Sequence, residues 1–478
     1  MPSQNAYDWL GHGIYCWKAN PARGFDFAQE ASRCRAPSHD PRRLPMILGA
    51  FLFNYGNHIA AWRHPGTPPH ALMDLGFYTS LAQTAERGRF DFVFHSDGLG
   101  INDEHPEILA HTVTPRPEPL VLLAALAAAT TRIGLIATVS TSYNEPYAAA
   151  RKLATLDHLS QGRAGINVVT STTWQEAANF GASAPMEHDA RYRRATEFVD
   201  VLRGLWDTWE DGAIHADQAS GVFADPVRIH TLDHHGEHFN VRGPLNVPRP
   251  PQGHPVLVQA GVSPAGQDFA AAQADLMFTV NTALPEAIDR RTAMAQRVAQ
   301  AGRPPGSVKI LPGLMPVLGG TEAEARREYE TLQSLIPAPI AIPYLSDVLG
   351  HDLSPYPPDG PMPDLPPGQG EQGRYRMVKG LAAEGLTLAA IAHRMLLGRG
   401  HWTVVGTPDQ VADEMERWLH AGACDGFNIL APHHPGGLDA FVDGVVPILQ
   451  RRGLLRRDYE GRTLRDHLGL ARPPNRFA

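Results

Sequence analysis

Cysteine is scarce in this chain of 478 residues, which contains only Cys16, Cys34 and Cys424, with no CxxC spacing among them. A small, odd set of this kind provides no disulfide framework and no zinc site, and it is typical of a reducing compartment. Basic residues are also few: Lys and Arg number 42 against 50 for Asp and Glu, and the formal net charge is −8. A nucleic-acid or anionic-membrane surface needs a basic stripe, so we expect neither partner.

Long uninterrupted apolar runs are also missing. The most apolar window, residues 120–139, contains Thr130, Thr131 and Arg132, so it predicts a buried helix, a turn and a buried strand rather than a membrane span. Residues 1–20 lack the apolar core of a secretory signal. We therefore expect a cytoplasmic protein.

Motifs that define several enzyme classes are missing too. The sequence has no P-loop, no GxGxxG dinucleotide fingerprint and no GxSxG nucleophile elbow. The first predicted strand ends in Phe53-Asn54-Tyr55 rather than in the HxH of a metallohydrolase barrel. The histidine-rich stretch 230–238 matches no tetrahedral zinc spacing. We expect no metal.

What is present is an alternation of short apolar, β-rich runs with longer helical patterns, which is typical of parallel βαβ units. Eight parallel strands separated by helices favour a closed barrel, so the predicted fold class is α/β, a (β/α)₈ TIM barrel with insertions. The predicted strands are Met46–Phe53, Phe90–His95, Arg132–Val139, Arg163–Thr170, Pro255–Ala260, Leu276–Val280, Val308–Val317 and Gly426–Leu430.

Helical periodicity marks the segments between these strands. The clearest pattern is Ala190–Trp209, where apolar side chains form one stripe. The other predicted helices are Ala71–Arg87, Pro119–Ala129, Pro146–Leu159, Pro264–Ala274, Leu284–Ala301, Glu322–Leu335, Pro408–Ala421 and Leu438–Arg451.

The barrel is expected to span residues 46–455, and three segments fall outside its repeating pattern. Residues 1–45 are expected to form an N-terminal extension and residues 456–478 a C-terminal tail, and the third segment is an insert. The insert Pro337–Gln372 contains ten prolines and follows the seventh predicted strand. A long irregular insert at the carboxyl end of a barrel strand would lie over the active site, so we expect a lid or a disordered loop.

The first candidate site residues end the second predicted strand. Side chains alternate along a strand, so His95 and Asp97 are expected to point the same way, into the barrel mouth. The alternative for Asp97 is that it only caps the turn before Gly98.

Polar residues also lie in the third and fourth predicted strands. Thr138 opens a run of hydroxyl residues at a strand end, and Asn167 lies within a strand. A buried amide needs hydrogen-bond partners, so Asn167 is expected to bond either neighbouring backbone or a ligand.

A possible anion site involves two helix starts. His188 and Tyr192 are spaced i, i+4 near the positive end of a predicted helix. Ser263 precedes Pro264 as a typical N-cap, and backbone N–H groups there suit a phosphate. The alternatives are a solvent-facing histidine beside a core tyrosine, and a helix cap without a ligand.

Several ordered segments resemble one known family. They resemble the nitrilotriacetate, dibenzothiophene-sulfone and long-chain alkane monooxygenase group of the luciferase-like flavin-dependent monooxygenases, over roughly residues 45–455. The matching segments are Ala61–Pro65, Ala82–Gly88 with Phe90-Asp91, Ser140–Tyr143 with Glu145–Tyr147, Leu156–Arg163, Arg191-Tyr192, Gly243–Val247, Gln259–Gly261 and Gly406–Pro408.

The resemblance implies a reaction and a cofactor. Members use reduced FMN, supplied by a separate NAD(P)H-dependent flavin reductase, and O₂, and they oxygenate a small molecule through a flavin peroxide. It further implies a homodimer or homotetramer. By the same resemblance, Asp97 and Thr138 lie beside the flavin ring, Asn167 lies at its reactive side, and the phosphate is held by His188, Tyr192 and Ser263.

Two departures from the family pattern leave the substrate open. The family usually has an apolar residue and Ala where this chain has His95-Ser96, and Gly-Trp-Asn where it has Gly165-Ile166-Asn167. We interpret His95 as a substrate contact or proton donor, or alternatively as a histidine bonded into the barrel floor. Three other functions remain open: oxidative C–N cleavage, including riboflavin degradation; deazaflavin-dependent oxidation; and flavin binding without catalysis.

Overall fold

The fold was derived from a computed structural model that describes residues 45–261, 263–366 and 372–478. The predicted extension, including Cys16 and Cys34, lies outside the described residues except for Pro45. Eight parallel strands close into a ring in which each strand pairs with the next and the last returns to the first. These strands are β1 Ile47–Leu52, β2 Phe92–His95, β3 Gly134–Ser140, β4 Ala164–Val169, β5 Val256–Gln259, β6 Leu276–Thr279, β7 Lys309–Leu318 and β8 Gly426–Ile429.

The ring confirms the predicted barrel and each of its strands. A further strand, Trp402–Gly406, was missed; it pairs in parallel with the second half of β7. Two short hairpins lie outside the barrel. Their strands are Ile214–Asp217 with Val222–Ala224, and His234–His235 with Asn240–Val241.

Helices connect the strands, and the predicted ones are found with small changes at their ends. The helix expected at Leu438–Arg451 is interrupted by a π-helical turn, Phe441–Val445. Pro447 lacks the N–H that a continuous α-helix needs, which explains the interruption. The remaining long helices are Leu75–Arg87, Pro119–Ala129, Pro146–Leu159, His188–Trp206, Pro264–Gln273, Leu284–Gln300, Glu322–Ser334 and Pro408–His420.

The two faces of the strands pack into different cores. Inward side chains such as Phe92, Phe94 and Val258 fill the barrel, whereas alternate ones such as Val93 pack on the outer helices. Gly49 makes room for the interior aromatics, because an added Cβ would lie 2.3 Å from the Phe92 ring.

The C-terminal segment closes the amino-terminal end of the barrel. Leu464 and Leu468 are fully buried among interior residues at the starts of the strands, such as Ile47. Arg456 forms a buried ion pair with Asp91, at 2.7 Å. The residues expected to form a tail therefore contribute to the barrel core.

The proline-rich insert is more regular than expected. Its first part forms a 3₁₀ turn, Ala338–Ile340, and the helix Ala341–Leu349, so the prediction of an irregular segment is wrong there. Pro339 and Pro343 fall in first helical turns, where no N–H donor is needed. Two missed helices, Gln372–Ala383 and Leu388–Gly398, pack with it around a separate buried cluster.

We call this cluster of helices, residues 338–349 and 372–398, the helical insert. Its buried side chains include Leu345 and Ile391, and they pack against Ile59 and Ala60, which follow β1. Because β1 runs toward the carboxyl end of the barrel, the helical insert contacts that end.

Among the described residues, no single helix is long and apolar enough to cross a membrane. The bent pair Glu322–Ser334 and Ala338–Leu349 reaches the length and apolar composition of a membrane span only when both helices are counted together.

Candidate active site

The barrel mouth carries a polar pair on adjacent strands. Thr138 on β3 lies opposite Asn167 on β4, and the Asn167 Nδ2 donates a hydrogen bond of 3.1 Å to the Thr138 Oγ1. Both residues are buried. The Asn167 Oδ1 is also buried, yet among the described residues it has no hydrogen-bond partner. A buried acceptor without a partner is costly, so this oxygen is suited to an N–H group of a ligand.

The three residues predicted to bind an anion come together. The rings of His188 and Tyr192 lie 5.2 Å apart, as their i, i+4 spacing on one helix predicts. The Tyr192 hydroxyl lies at the turn after β5, since a Cβ on Gly261 or Gly266 would be only 2.9 or 2.7 Å from it. Ser263 lies in this turn.

Ser263 has a structural role as well. Its Oγ accepts a hydrogen bond of 3.1 Å from the Gly266 N–H, so it is the N-cap of the helix Pro264–Gln273. Capping and ligand binding are compatible, because a hydroxyl can also donate a hydrogen bond. A phenol, an imidazole, a hydroxyl and a helix N-terminus together could hold a phosphate.

Asp97 lies in the loop after β2. Its Oδ1 accepts a hydrogen bond of 2.8 Å from the Gly98 N–H, as the capping interpretation predicts. Burial raises the pKa of Asp97, while the Gly98 N–H and the nearby Arg116 oppose this shift. Glu176 ties the same loop to β4 by accepting from the Leu99 N–H at 3.1 Å and from the Ser171 hydroxyl at 3.2 Å.

His95 does not point into the barrel, so that prediction is wrong. Phe92 and Phe94 occupy the inward positions of β2, and alternation therefore turns His95 outward. Its ring packs edge-on against Tyr78 of the helix Leu75–Arg87. It is 1% exposed, and its buried Nε2 has no hydrogen-bond partner among the described residues.

A continuous aromatic surface covers the inside of the mouth, and sequence reasoning did not identify it. Phe51 stacks on Phe53, with ring centroids 5.6 Å apart, and also contacts Phe94 and Phe278. His401 lies parallel to Phe278, with centroids 5.2 Å apart. Burial lowers the pKa of His401 to about 3, so its imidazole is neutral near neutral pH. We call these five rings the aromatic floor.

Two arginines lie against the outer ring of this floor. The guanidinium carbons of Arg116 and Arg399 lie 5.6 and 4.7 Å from the Phe53 ring centroid. Arg399 has a left-handed backbone with φ of 51° and donates from Nε to the Asn57 carbonyl at 3.0 Å. No periodic pattern marks this position, because Arg399 lies between a helix and a strand that were both missed.

A closed parallel barrel with polar groups at the carboxyl ends of β3, β4 and β5 has the architecture of a TIM-barrel enzyme. Comparison with known families identifies the class more narrowly. Residues 51–425 match the model of the luciferase-like monooxygenases. The chain belongs to this family, which confirms the predicted resemblance and the predicted enzyme class.

Relatives with known activities match over nearly their whole length. The chain is 46% identical over 442 residues to the N-acetyl-S-(2-succino)cysteine monooxygenase of Bacillus subtilis, covering 91% of this chain and 99% of the relative. It is also 46% identical over 445 residues to component A of the nitrilotriacetate monooxygenase of Aminobacter aminovorans, covering 91% and 98%.

A solved structure supports the same assignment. The riboflavin lyase structure, determined with a modified FMN and with riboflavin as substrate, superposes with a TM-score of 0.80 at 32% identity. The match covers 89% of this chain and 96% of the lyase. The family therefore includes relatives with different reactions on closely similar barrels.

Proposed function

We propose that this chain is the oxygenase of a two-component system, which takes reduced FMN from a separate flavin reductase and uses O₂ to oxygenate or oxidatively cleave a small organic molecule. The observation that carries this proposal is that a candidate site for the flavin ring and a candidate site for its phosphate lie at the same barrel mouth. An unpartnered Asn167 Oδ1 lies at β4, and a phosphate-type cluster lies beyond the adjacent β5.

These residues fit FMN. The buried Asn167 Oδ1 would accept from an N–H of the flavin ring, with Thr138 holding the amide in that orientation. His188, Tyr192 and Ser263 would hold the phosphate, and Asp97 would lie beside the ring. When bound, reduced FMN supplies the electrons that activate O₂, and the protein supplies orientation and exclusion of water.

Asn167 is the residue that we propose as catalytic, because it would contact the reactive side of the flavin. His95 is not part of this proposal, since it faces a helix outside the barrel. We further propose a homodimer or homotetramer, a cytoplasmic location and an NAD(P)H-dependent reductase as the partner.

Oxygen consumption tests the proposal. The purified chain would be mixed with NADH, FMN and a generic flavin reductase, and uptake compared across a panel of small molecules that includes riboflavin. We expect uptake above the reductase background with at least one molecule, together with an oxidised product. Asn167→Ala should abolish the product but not the fold. Flavin binding without substrate-dependent uptake would instead indicate a non-catalytic flavin-binding protein.

Oxidative C–N cleavage is the second candidate, supported by the likeness to the riboflavin lyase. Product analysis separates the two reactions, because cleavage releases an amine or a truncated ring whereas simple oxygenation leaves the skeleton intact. A titration with reduced deazaflavin in place of reduced FMN tests the deazaflavin alternative. Tighter binding of the deazaflavin would contradict the proposed cofactor.

A further inference from the structure

Two partly buried positive charges at the barrel mouth, Arg116 and Arg399, lack ionic partners. Among the described residues, neither Arg116 nor Arg399 forms an ion pair, although both guanidiniums lie against the Phe53 ring. Asp97 and Glu176 lie near enough to Arg116 to act on its pKa, but neither makes an ion pair with it. Withdrawing even part of a charged group from water is costly, so a guanidinium that is half-buried without an ionic partner is suited to an anionic ligand.

The surroundings of Arg399 add to this excess of positive charge. Burial lowers the pKa of Arg399, Tyr344 opposes the shift, and the positive charges of Arg374 and Arg116 lower the pKa further. The Arg399 Nε donates a hydrogen bond to the Asn57 carbonyl. This acceptor is neutral, so it does not balance the positive charge of the guanidinium. Arg399 is also the C-cap of the helix Leu388–Gly398, and its left-handed backbone fixes where the side chain leaves the helix.

The topology separates these arginines from the phosphate-type cluster. Phe53 follows β1, whereas Ser263 follows β5, and in a ring of eight strands these two lie opposite one another. An anion between Arg116 and Arg399 would therefore lie across the mouth from the FMN phosphate. Thr138 and Asn167 lie on the strands between, so the flavin ring and a substrate would share the space in the middle.

We propose that Arg116 and Arg399 bind a carboxylate-type anionic group of the substrate, with the aromatic floor contacting its apolar part. The anion site stands on the geometry of this chain; only its assignment to the substrate rests on the proposed function. Arginine suits this role, because its planar fork makes paired hydrogen bonds to a carboxylate.

Binding of benzoate and benzamide to the purified full chain tests the proposal without flavin. The two probes have nearly the same shape and differ in charge, so calorimetry in a low-chloride buffer isolates the anion contribution. We expect benzoate to bind and benzamide to bind at least about tenfold more weakly. Equal binding of the two probes would overturn the proposal.

Variants locate the site. Arg399→Gln and Arg116→Gln should each weaken benzoate binding about tenfold or more, whereas Arg399→Lys should retain part of it. Arg194→Gln is the matched control, because Arg194 also lies over a ring, that of Phe239 at 4.2 Å, and its Nε donates to the Thr141 carbonyl. An equal loss in the control would contradict the assignment.

FMN binding separates this inference from the proposed function. Arg399→Gln should leave the affinity for FMN unchanged, and a parallel loss of FMN and benzoate would mean that the arginines bind the flavin phosphate instead. If wild-type chain binds benzoate but shows no flavin-dependent oxygen uptake, the proposed function fails and the anion site stands. If oxygen uptake occurs only with neutral substrates, the proposed function stands and the assignment of the anion site to the substrate fails.

Discussion

The imidazole of His95 packs against the phenol ring of Tyr78, with ring centroids 5.8 Å apart and ring planes inclined at 61°. The contact lies between β2 and an outer helix, and the His95 Nδ1 is 2.9 Å from the Ser96 carbonyl. Burial lowers the pKa of His95 to about 4, with the Ser96 carbonyl opposing the shift. We therefore interpret His95 as a neutral structural histidine rather than as a proton donor.

Replacement of His95 by Gln tests this interpretation through two pH dependences. The pH profile of kcat/KM should keep the wild-type shape. The folded pKa, about 4, lies below the ordinary 6.5, so neutral His95 contributes stability that is present above 6.5 and lost as the pH falls through 4. Denaturant unfolding should show that the variant loses less stability over this range. A kcat/KM profile that lost its acidic limb would restore His95 as a catalytic group.

Two substitutions at Ser263 separate its capping role from phosphate binding. Ser263→Asp keeps an N-cap but places negative charge beside the phosphate, so FMN affinity should fall by more than about tenfold while riboflavin affinity is retained. Ser263→Ala removes the cap at a cost of about 1 kcal/mol in stability and should weaken FMN binding more than riboflavin binding.

Fluorescence titration with both flavins measures these affinities, and Thr321→Asp, at the N-cap of the distant helix Glu322–Ser334, is the control. If Ser263→Asp weakened FMN and riboflavin binding equally, the turn after β5 would not hold the phosphate.

The buried ion pair between Asp91 and Arg456 should be essential for stability. Asp91 is fully buried, and burial raises its pKa to about 6 although Arg456 opposes this shift. Arg456→Met would leave a buried carboxylate without its cation, which costs about 3–5 kcal/mol. Urea unfolding should show this loss, and the double variant Asp91→Asn with Arg456→Met should recover a large part of it. Purely additive losses would mean that the pair is not coupled.

The barrel could be predicted because its strands are buried on both faces and therefore have continuous apolar sequences, as in β3. The anion cluster could be predicted in part, since His188 and Tyr192 share one helix and their spacing fixes their proximity. His95 was misplaced because alternation fixes only which residues share a face, and the bulk of Phe92 and Phe94 decides which face is inside.

The helical insert and the arginine pair could not be predicted for a different reason. Prolines in first helical turns look like loop residues in the sequence, so the helix Ala341–Leu349 was hidden. Arg116 and Arg399 are 283 positions apart by their numbers and meet only through the closed barrel and the loop after β1. Contacts of this kind depend on tertiary structure and leave no periodic pattern.

The helical insert packs against Ile59 and Ala60 at the carboxyl end of the barrel, and we expect its core to control coupling between oxygen use and product formation. Leu345 is fully buried in this cluster. Leu345→Ala should therefore lower the free energy of local unfolding by about 2–5 kcal/mol and loosen the insert. With solvent admitted to the mouth, the two electrons of reduced FMN and two protons would convert O₂ to hydrogen peroxide, with no oxygen transferred to the substrate. Peroxide formed per O₂ consumed should rise in this variant.

Leu202→Ala is the matched control for this prediction, because Leu202 is equally buried but belongs to a different core, beside β4 and β5. Both variants lose the same side-chain volume, so global destabilisation should affect them alike. Only loosening of the insert should raise the fraction of O₂ that is released as peroxide. If both variants release the same fraction as wild type, the insert is a structural element rather than a lid.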